Sequence, residues 1–268
     1  MLLASATLSS AQTIYVEVGT VKTTFSASIN PRALPRSKRA PIAVRMASKV
    51  VARDGQHIPA IARADIGIDR SVTIDARGVP VCSQGQLEGQ TTEGAEVACA
   101  AAIVGRGSAT VEIALGAGAP IRAESRLLAF NGGVAGRTTT LLVHAYLSAP
   151  VAQAIVVPFA LTRIAKGGYG MRAQATVPKI AGGSGSVARF DLTLRRQVAT
   201  TTGGRHGYLL ARCSDGNFVF EPEVEFLDGD LARGTLAQGC HTARQAGPPS
   251  RAPARRRSLP GRPARTPW

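Results

Sequence analysis

The sequence contains four cysteines, and they fall into two local pairs, Cys82 with Cys99 and Cys213 with Cys240. Four cysteines allow three disulfide connectivities, and the local pairing closes the shortest loops. We therefore predict these two disulfides, each restricting the unfolded chain by about 3–4 kcal/mol. A zinc site would need close Cys-x-x-Cys or Cys/His spacing, which neither pair has.

The histidines show no metal-like spacing. The four are His57, His144, His206 and His241. His144 lies in the stretch TTTLLVHAYLS on the same strand face as Leu142 and Tyr146, which favours a hydrogen-bonded interior histidine over a catalytic base. If the sheet encloses an apolar cavity, His144 and Tyr146 are predicted to lie near its lining.

Three glutamates alternate on one predicted strand face, at Glu221, Glu223 and Glu225. Like charges on one face repel, so this face is predicted to be solvated or paired with cations. Three arginines are available as partners: Arg195, Arg196 and Arg233.

No motif supplies a catalytic centre. The run Gly182-Gly183-Ser184-Gly185-Ser186 lacks the final glycine of a G-x-S-x-G nucleophile elbow. The glycines at 116 and 118 are followed by Ala119-Pro120, which breaks a dinucleotide-binding fingerprint. We assign no catalytic residue, no metal ligand and no cofactor, and the chain is not predicted to be an enzyme.

Alternation of apolar and polar residues is the main structural signal. Glycine-rich turns separate the alternating segments. The predicted strand segments are 13–29 (one strand or two), 42–51, 66–75, 109–115, 126–130, 138–147, 155–164, 169–177, 187–198, 208–213, 218–226 and 231–236. The pattern predicts a mainly β protein, an antiparallel sandwich or partly open barrel of about a dozen short strands.

One short helix is predicted near residues 92–104. Thr92 would cap its start, and Gly105 would end it. Cys99 would then tether the helix to the strand end at Cys82.

Composition divides the chain into three parts. Residues 1–12 are predicted to be a signal-peptide remnant or a disordered N-terminus, and 13–242 a single β-rich domain with a possible lobe boundary at 149–150. Residues 243–268 contain seven arginines, six prolines and no acid, which predicts a disordered tail. The net charge is +15, and the arginines of the tail would attract anions non-specifically. No recognition motif accompanies the tail, so sequence-specific binding of nucleic acid is not predicted.

The compartment is predicted from the N-terminus and the cysteines. The opening MLLASATLSSA has A-x-A-like cleavage sites, as the end of a secretory signal does. Disulfides persist in oxidising compartments. No run of eighteen apolar residues is present, which excludes a membrane-spanning helix. We predict a secreted or cell-envelope protein.

Three segments carry a resemblance to known sequences: 36–41 (RSKRAP), 127–133 (LLAFNGG) and 177–185 (VPKIAGGSG). They are similar to a group of uncharacterised secreted actinobacterial β-rich proteins with two local cysteine pairs. The resemblance runs from about residue 13 to Cys240. It implies export and no assigned activity.

Two functions are predicted. The first is an exported, disulfide-stabilised binding or structural module of the cell envelope, whose partner is an envelope polymer or lipid. The alternative is a carrier of a small ligand or lipid, with an apolar cavity inside the curled sheet. A cavity favours the carrier, and a solid interior would exclude it.

Overall fold

A computed structural model describes residues 12–53, 55–116, 118–199 and 205–243. Most of these residues form β-strands. The strands are β1 (Gln12–Val18), β2 (Val21–Asn30), β3 (Ala33–Leu34), β4 (Ala40–Pro41), β5 (Ala43–Ala52), β6 (Ile61–Asp69), β7 (Val72–Ile74), β8 (Ile103–Ile113), β9 (Ile121–Ala135), β10 (Thr138–Leu147), β11 (Gln153–Lys166), β12 (Tyr169–Thr176), β13 (Gly185–Leu194), β14 (Gln197–Ala199), β15 (Arg205–Gly207), β16 (Leu209–Ala211), β17 (Asn217–Phe226), β18 (Leu231–Arg233), β19 (Leu236–Gly239) and β20 (His241–Thr242). The helices are α1 (Gln84–Leu87) and α2 (Thr92–Ala98), with 3₁₀ turns at Ala100–Ala102 and Ala181–Gly183.

One large antiparallel sheet contains thirteen of these strands. Twelve follow the order β1-β2-β5-β13-β8-β9-β10-β11-β12-β6-β17-β18, and β19 pairs with the other half of β17. The first strand of the sheet, β1, lies against β18 and β19 at the other end. The sheet therefore curls until its two ends meet. Within the described residues no backbone ladder joins these ends, so the sheet is nearly closed.

The seam between the two ends is held by side chains. Gln238 of β19 is buried, and its Oε1 accepts a hydrogen bond from the Ile29 amide of β2 at 2.6 Å. Further along, Gly234 lies so close to β1 that a Cβ there would meet Ile14 Cδ1 at 2.2 Å. A larger residue at 234 would push β1 away from the seam.

Strand alternation decides which side chains enter the interior of the curled sheet. In β2, for example, every second residue from Val21 to Ile29, including Thr23, is buried, while the residues between them are more exposed. Burial of these apolar side chains stabilises the fold by about 25 cal/mol for each Å² removed from water. The buried side chains of the successive strands form one main core, which is continuous around the inner face of the sheet.

Two smaller units cover the sheet. A three-stranded sheet of β4, β16 and β7 closes one end of the interior, with Ile74 and Leu209 facing into it. The helices α1 and α2 pack on the outer face of β9, β10 and β11. A second apolar cluster forms there, and Leu87 and Phe130 lie at its centre.

Both predicted disulfides are confirmed: Cys82 bonds to Cys99, and Cys213 bonds to Cys240. The first ties the helical unit to the chain that precedes it. A three-strand meander would have placed Cys213 and Cys240 two strand spacings apart, too far for a disulfide. Instead β18 and β19 both pair with β17. Strand β19 therefore lies one strand spacing from β17 and not two.

The fold class is confirmed, and the alternative of a curled, nearly closed sheet is the one observed. The helix prediction needs correction. A helix does form in 92–104, but its cap is Thr91, whose hydroxyl accepts from the Gly94 amide, and it ends at Ala98. Strand β8 begins at Ile103. A further helix, α1, precedes it.

The proposed lobe boundary falls in the turn between β10 and β11, which pair along ten successive residues. The predicted N-terminal segment 1–12 lies, except for Gln12, outside the described residues, and so does the tail 243–268, except for Ala243. In the described part of the chain, no helix has the length and apolar character that crossing a membrane requires.

Candidate ligand cavity

The interior of the curled sheet is hollow. It contains a cavity of about 210 Å³, lined by apolar side chains from most of the strands of the large sheet. Phe25, Met46, Phe159, Phe190 and Phe220 contribute its largest side chains. The cavity could hold a small apolar molecule, because its lining is almost entirely apolar. Among the described residues, the only polar ones that border it are Ser26, Ser48, Asp65 and Glu223.

The space arises from strand number and side-chain size. The radius of a curled sheet grows with the number of strands, and large side chains are needed to fill a sheet of twelve. Aromatic residues make up only 4% of this sequence. Many lining positions carry alanine: Ala27, Ala64, Ala109, Ala145 and Ala173. These small residues leave the centre unfilled.

The end of the interior opposite the small sheet holds a third apolar cluster, in which Ile113 and Ile180 are buried. The loop 177–184, which joins β12 to β13, lies there. A further pocket of about 30 Å³ is bounded by this loop and by Ala60, Ile61 and Leu227. Ile180 of the loop borders both this pocket and the cavity.

His144 and Tyr146 do not line this cavity, so that sequence expectation needs correction. Their neighbours in β10, Val143 and Ala145, face the interior. Strand alternation therefore turns His144 to the outer face, where Leu142 packs beneath the helices. Tyr146 is half-buried on that same outer face.

His144 instead fixes the helical unit to the sheet. The side chain is fully buried, and its Nε2 lies 3.0 Å from the Gln90 carbonyl oxygen, to which it donates. Burial lowers the pKa of His144, partly opposed by this hydrogen bond. The prediction that His144 is buried and hydrogen-bonded is confirmed, although the side chain lies outside the cavity of the curled sheet.

Acidification is expected to destabilise the fold through His144. Its pKa in the folded chain lies below the unfolded value of about 6.5, so the unfolded chain binds more protons below that pH. Unfolding free energy should fall as pH drops from 7 to 5, by at most about 1.4 kcal/mol per pH unit. Urea titrations of wild type and His144→Leu at several pH values check this. An equal pH dependence in both proteins would contradict it.

The glutamate row is paired as predicted, in part. Glu223 is bonded to Arg233, as expected, and Glu225 lies 3.6 Å from Arg63. Arg196 is not a partner, since it donates to the Ala101 carbonyl at 3.3 Å. Two of the three glutamates of the row are therefore ion-paired among the described residues, and Glu221 has no such pair there.

Sequence reasoning missed one serine–histidine contact. Ser186 Oγ lies 3.1 Å from His57 Nε2 and 2.7 Å from the Ile58 carbonyl oxygen. The hydroxyl proton is directed to that carbonyl, so the serine accepts from the histidine. Ser186 is 1% exposed, so its hydroxyl is enclosed by the protein. The pair joins the chain before β6 to β13.

Within the described residues, no cluster of three or more His, Cys, Asp or Glu side chains could hold a metal ion. No protein-family model matches the chain, and neither the curated proteins nor the solved structures contain a significant match.

Proposed function

We propose that this protein is an exported carrier that holds a small apolar molecule inside its curled sheet. The observation that supports the proposal is the apolar cavity of about 210 Å³. An engineered cavity of about 150 Å³ lined by aliphatic and aromatic side chains stays dry and binds benzene or xenon. A larger cavity of the same character suits a ligand of somewhat greater size.

The energetics favour an apolar guest. Water in such a cavity would find few hydrogen-bond partners, because its lining is almost entirely apolar. A ligand that covers this surface gains about 25 cal/mol for each Å² removed from water. The alternative of an envelope binding or structural module remains a sequence prediction, and it does not require a hollow interior.

Export belongs to the proposal as well. The two disulfides suit an oxidising compartment. A secreted or envelope location and the resemblance to secreted actinobacterial β-rich proteins are expectations that accompany it.

Filling the cavity is expected to weaken ligand binding strongly. Ala109 and Ala173 face the interior from opposite regions of the sheet, on β8 and β12. Ala109→Leu and Ala173→Leu should each weaken the binding of naphthalene, an uncharged apolar fluorophore, about tenfold or more, since one methylene in an apolar pocket already changes affinity by about 10–200-fold. Fluorescence titration of the oxidised full chain measures this.

The matched control is Ala160→Leu. Ala160 lies on β11 but is exposed and does not line the cavity, so this variant should bind the fluorophore as wild type does. Mass spectrometry of an organic extract of the purified protein adds a second readout, a co-purifying apolar molecule. Absence of saturable binding in wild type, or equal loss in all three variants, would exclude the carrier function.

A further inference from the structure

The 30 Å³ pocket lies next to the large cavity, at the end of the interior that holds the loop 177–184. Four side chains line both spaces, namely Ile61, Val177, Ile180 and Val187. The opposite end of the interior is closed by the small sheet of β4, β16 and β7. A chain-like ligand seated in the cavity would therefore extend toward solvent through this pocket, which we call the mouth.

The mouth contains one charged side chain, Lys179, among the ten residues that line it. Lys179 is exposed. In the described ranges, no carboxylate lies within 4.0 Å of its ammonium group, whereas nearby Arg63 is paired with Glu225. Leu227, which also lines the mouth, is 61% exposed. The mouth thus combines an apolar rim with an unpaired cation.

The backbone that carries Lys179 is held in place. Gln153, at the start of β11, accepts a hydrogen bond from the Ala181 amide at 2.8 Å and donates one to the Lys179 carbonyl at 3.2 Å. Ser184 Oγ donates to the Ala181 carbonyl at 2.7 Å. Gly182 and Gly183 adopt positive φ values of 70° and 111°, which lets the loop turn tightly. The Lys179 side chain remains free to reach a ligand.

We propose that the ligand is a single alkyl chain with an anionic head group, the chain in the cavity and the anion beside Lys179 at the mouth. This inference rests on the proposed carrier function. The chain is single because the cavity is only somewhat larger than one that holds benzene. The head group is anionic because the cation at the mouth has no acidic partner, and an ammonium binds an oxyanion through charge-assisted hydrogen bonds.

The test compares two ligands with the same chain and different head groups. Octanoate carries a carboxylate, and 1-octanol is uncharged. Each displaces naphthalene from the full-length oxidised protein, and affinities are compared between wild type and Lys179→Gln. The variant should bind octanoate about fivefold more weakly, the ratio of a strong solvent-exposed ion pair, and should bind octanol unchanged. Lys49→Gln removes an exposed lysine on β5 and should change neither.

Ionic strength supplies a second readout. Added salt should weaken octanoate binding to wild type more than to Lys179→Gln, because screening acts on the exposed pair. Equal effects of Lys179→Gln on octanoate and octanol, or no effect on either, would overturn the head-group inference and leave the carrier function standing. Failure of wild type to bind octanol or the fluorophore would instead overturn the carrier function.

Discussion

Replacing Cys213 and Cys240 together with alanine is expected to lower the free energy of unfolding by about 3–4 kcal/mol. The disulfide joins residues 27 positions apart. Opening a loop of that length stabilises the unfolded chain by about this free energy, through its gain in conformational entropy. The bond lies at the closed end of the interior, where the Cys213 amide donates to the Pro35 carbonyl and the Cys240 amide to the Gly216 carbonyl. Urea denaturation of oxidised protein measures the loss.

The Cys82–Cys99 bond provides a matched comparison. Its residues are 17 positions apart, so the corresponding double alanine variant should lose slightly less, about 3 kcal/mol. It should release α1 and α2 from the outer face and leave the cavity intact. Reductant should destabilise wild type and leave a four-alanine variant unaffected. Four free thiols in denatured, unreduced wild type would contradict the expectation and remove the argument for export.

Breaking the side-chain link at the seam is expected to cost about 2–3 kcal/mol. In Gln238→Met a side chain of similar length loses the carbonyl that accepts from the Ile29 amide. That amide is then buried without a partner, which costs about 1–3 kcal/mol, and the packing around it is disturbed as well. Thermal or urea unfolding measures the change.

Hydrogen exchange of the Ile29 amide tests the mechanism directly. It should be much faster in Gln238→Met than in wild type. Gln197→Met changes an exposed glutamine on β14 and should alter neither stability nor that exchange rate. Unchanged protection of Ile29 in the Gln238 variant would show that the seam does not depend on this bond.

Local pattern predicted most of the strands. The bounds predicted for β10, 138–147, agree with the structure at both ends, because turn residues border a clear alternation. The two cysteine pairs were predictable because their partners are close in sequence. The helix cap was displaced by one residue, since Thr91 and Thr92 are adjacent and either hydroxyl could cap the first turn.

The cavity and its lining were less predictable. In β10 both faces are buried, one by the interior and the other by α1 and α2. Alternation places His144 and Leu142 together but does not say which buried face is which. The hollow centre depends on strand number and curvature, and the Gln153 bonds to the 177–184 loop join elements on different strands. Neither the hollow centre nor the Gln153 bonds have a local sequence signal.

A seam made of side chains fixes the circumference of the curled sheet less tightly than paired backbones would. Paired strands are held at about 4.8 Å by their backbone hydrogen bonds, whereas the contacts of Ile14 with Gly234 and of Gln238 with Ile29 impose no repeating spacing along β1. Expansion at this line breaks no backbone ladder among the described strands. Under the proposed carrier function, this line is where the sheet would widen around a thicker guest.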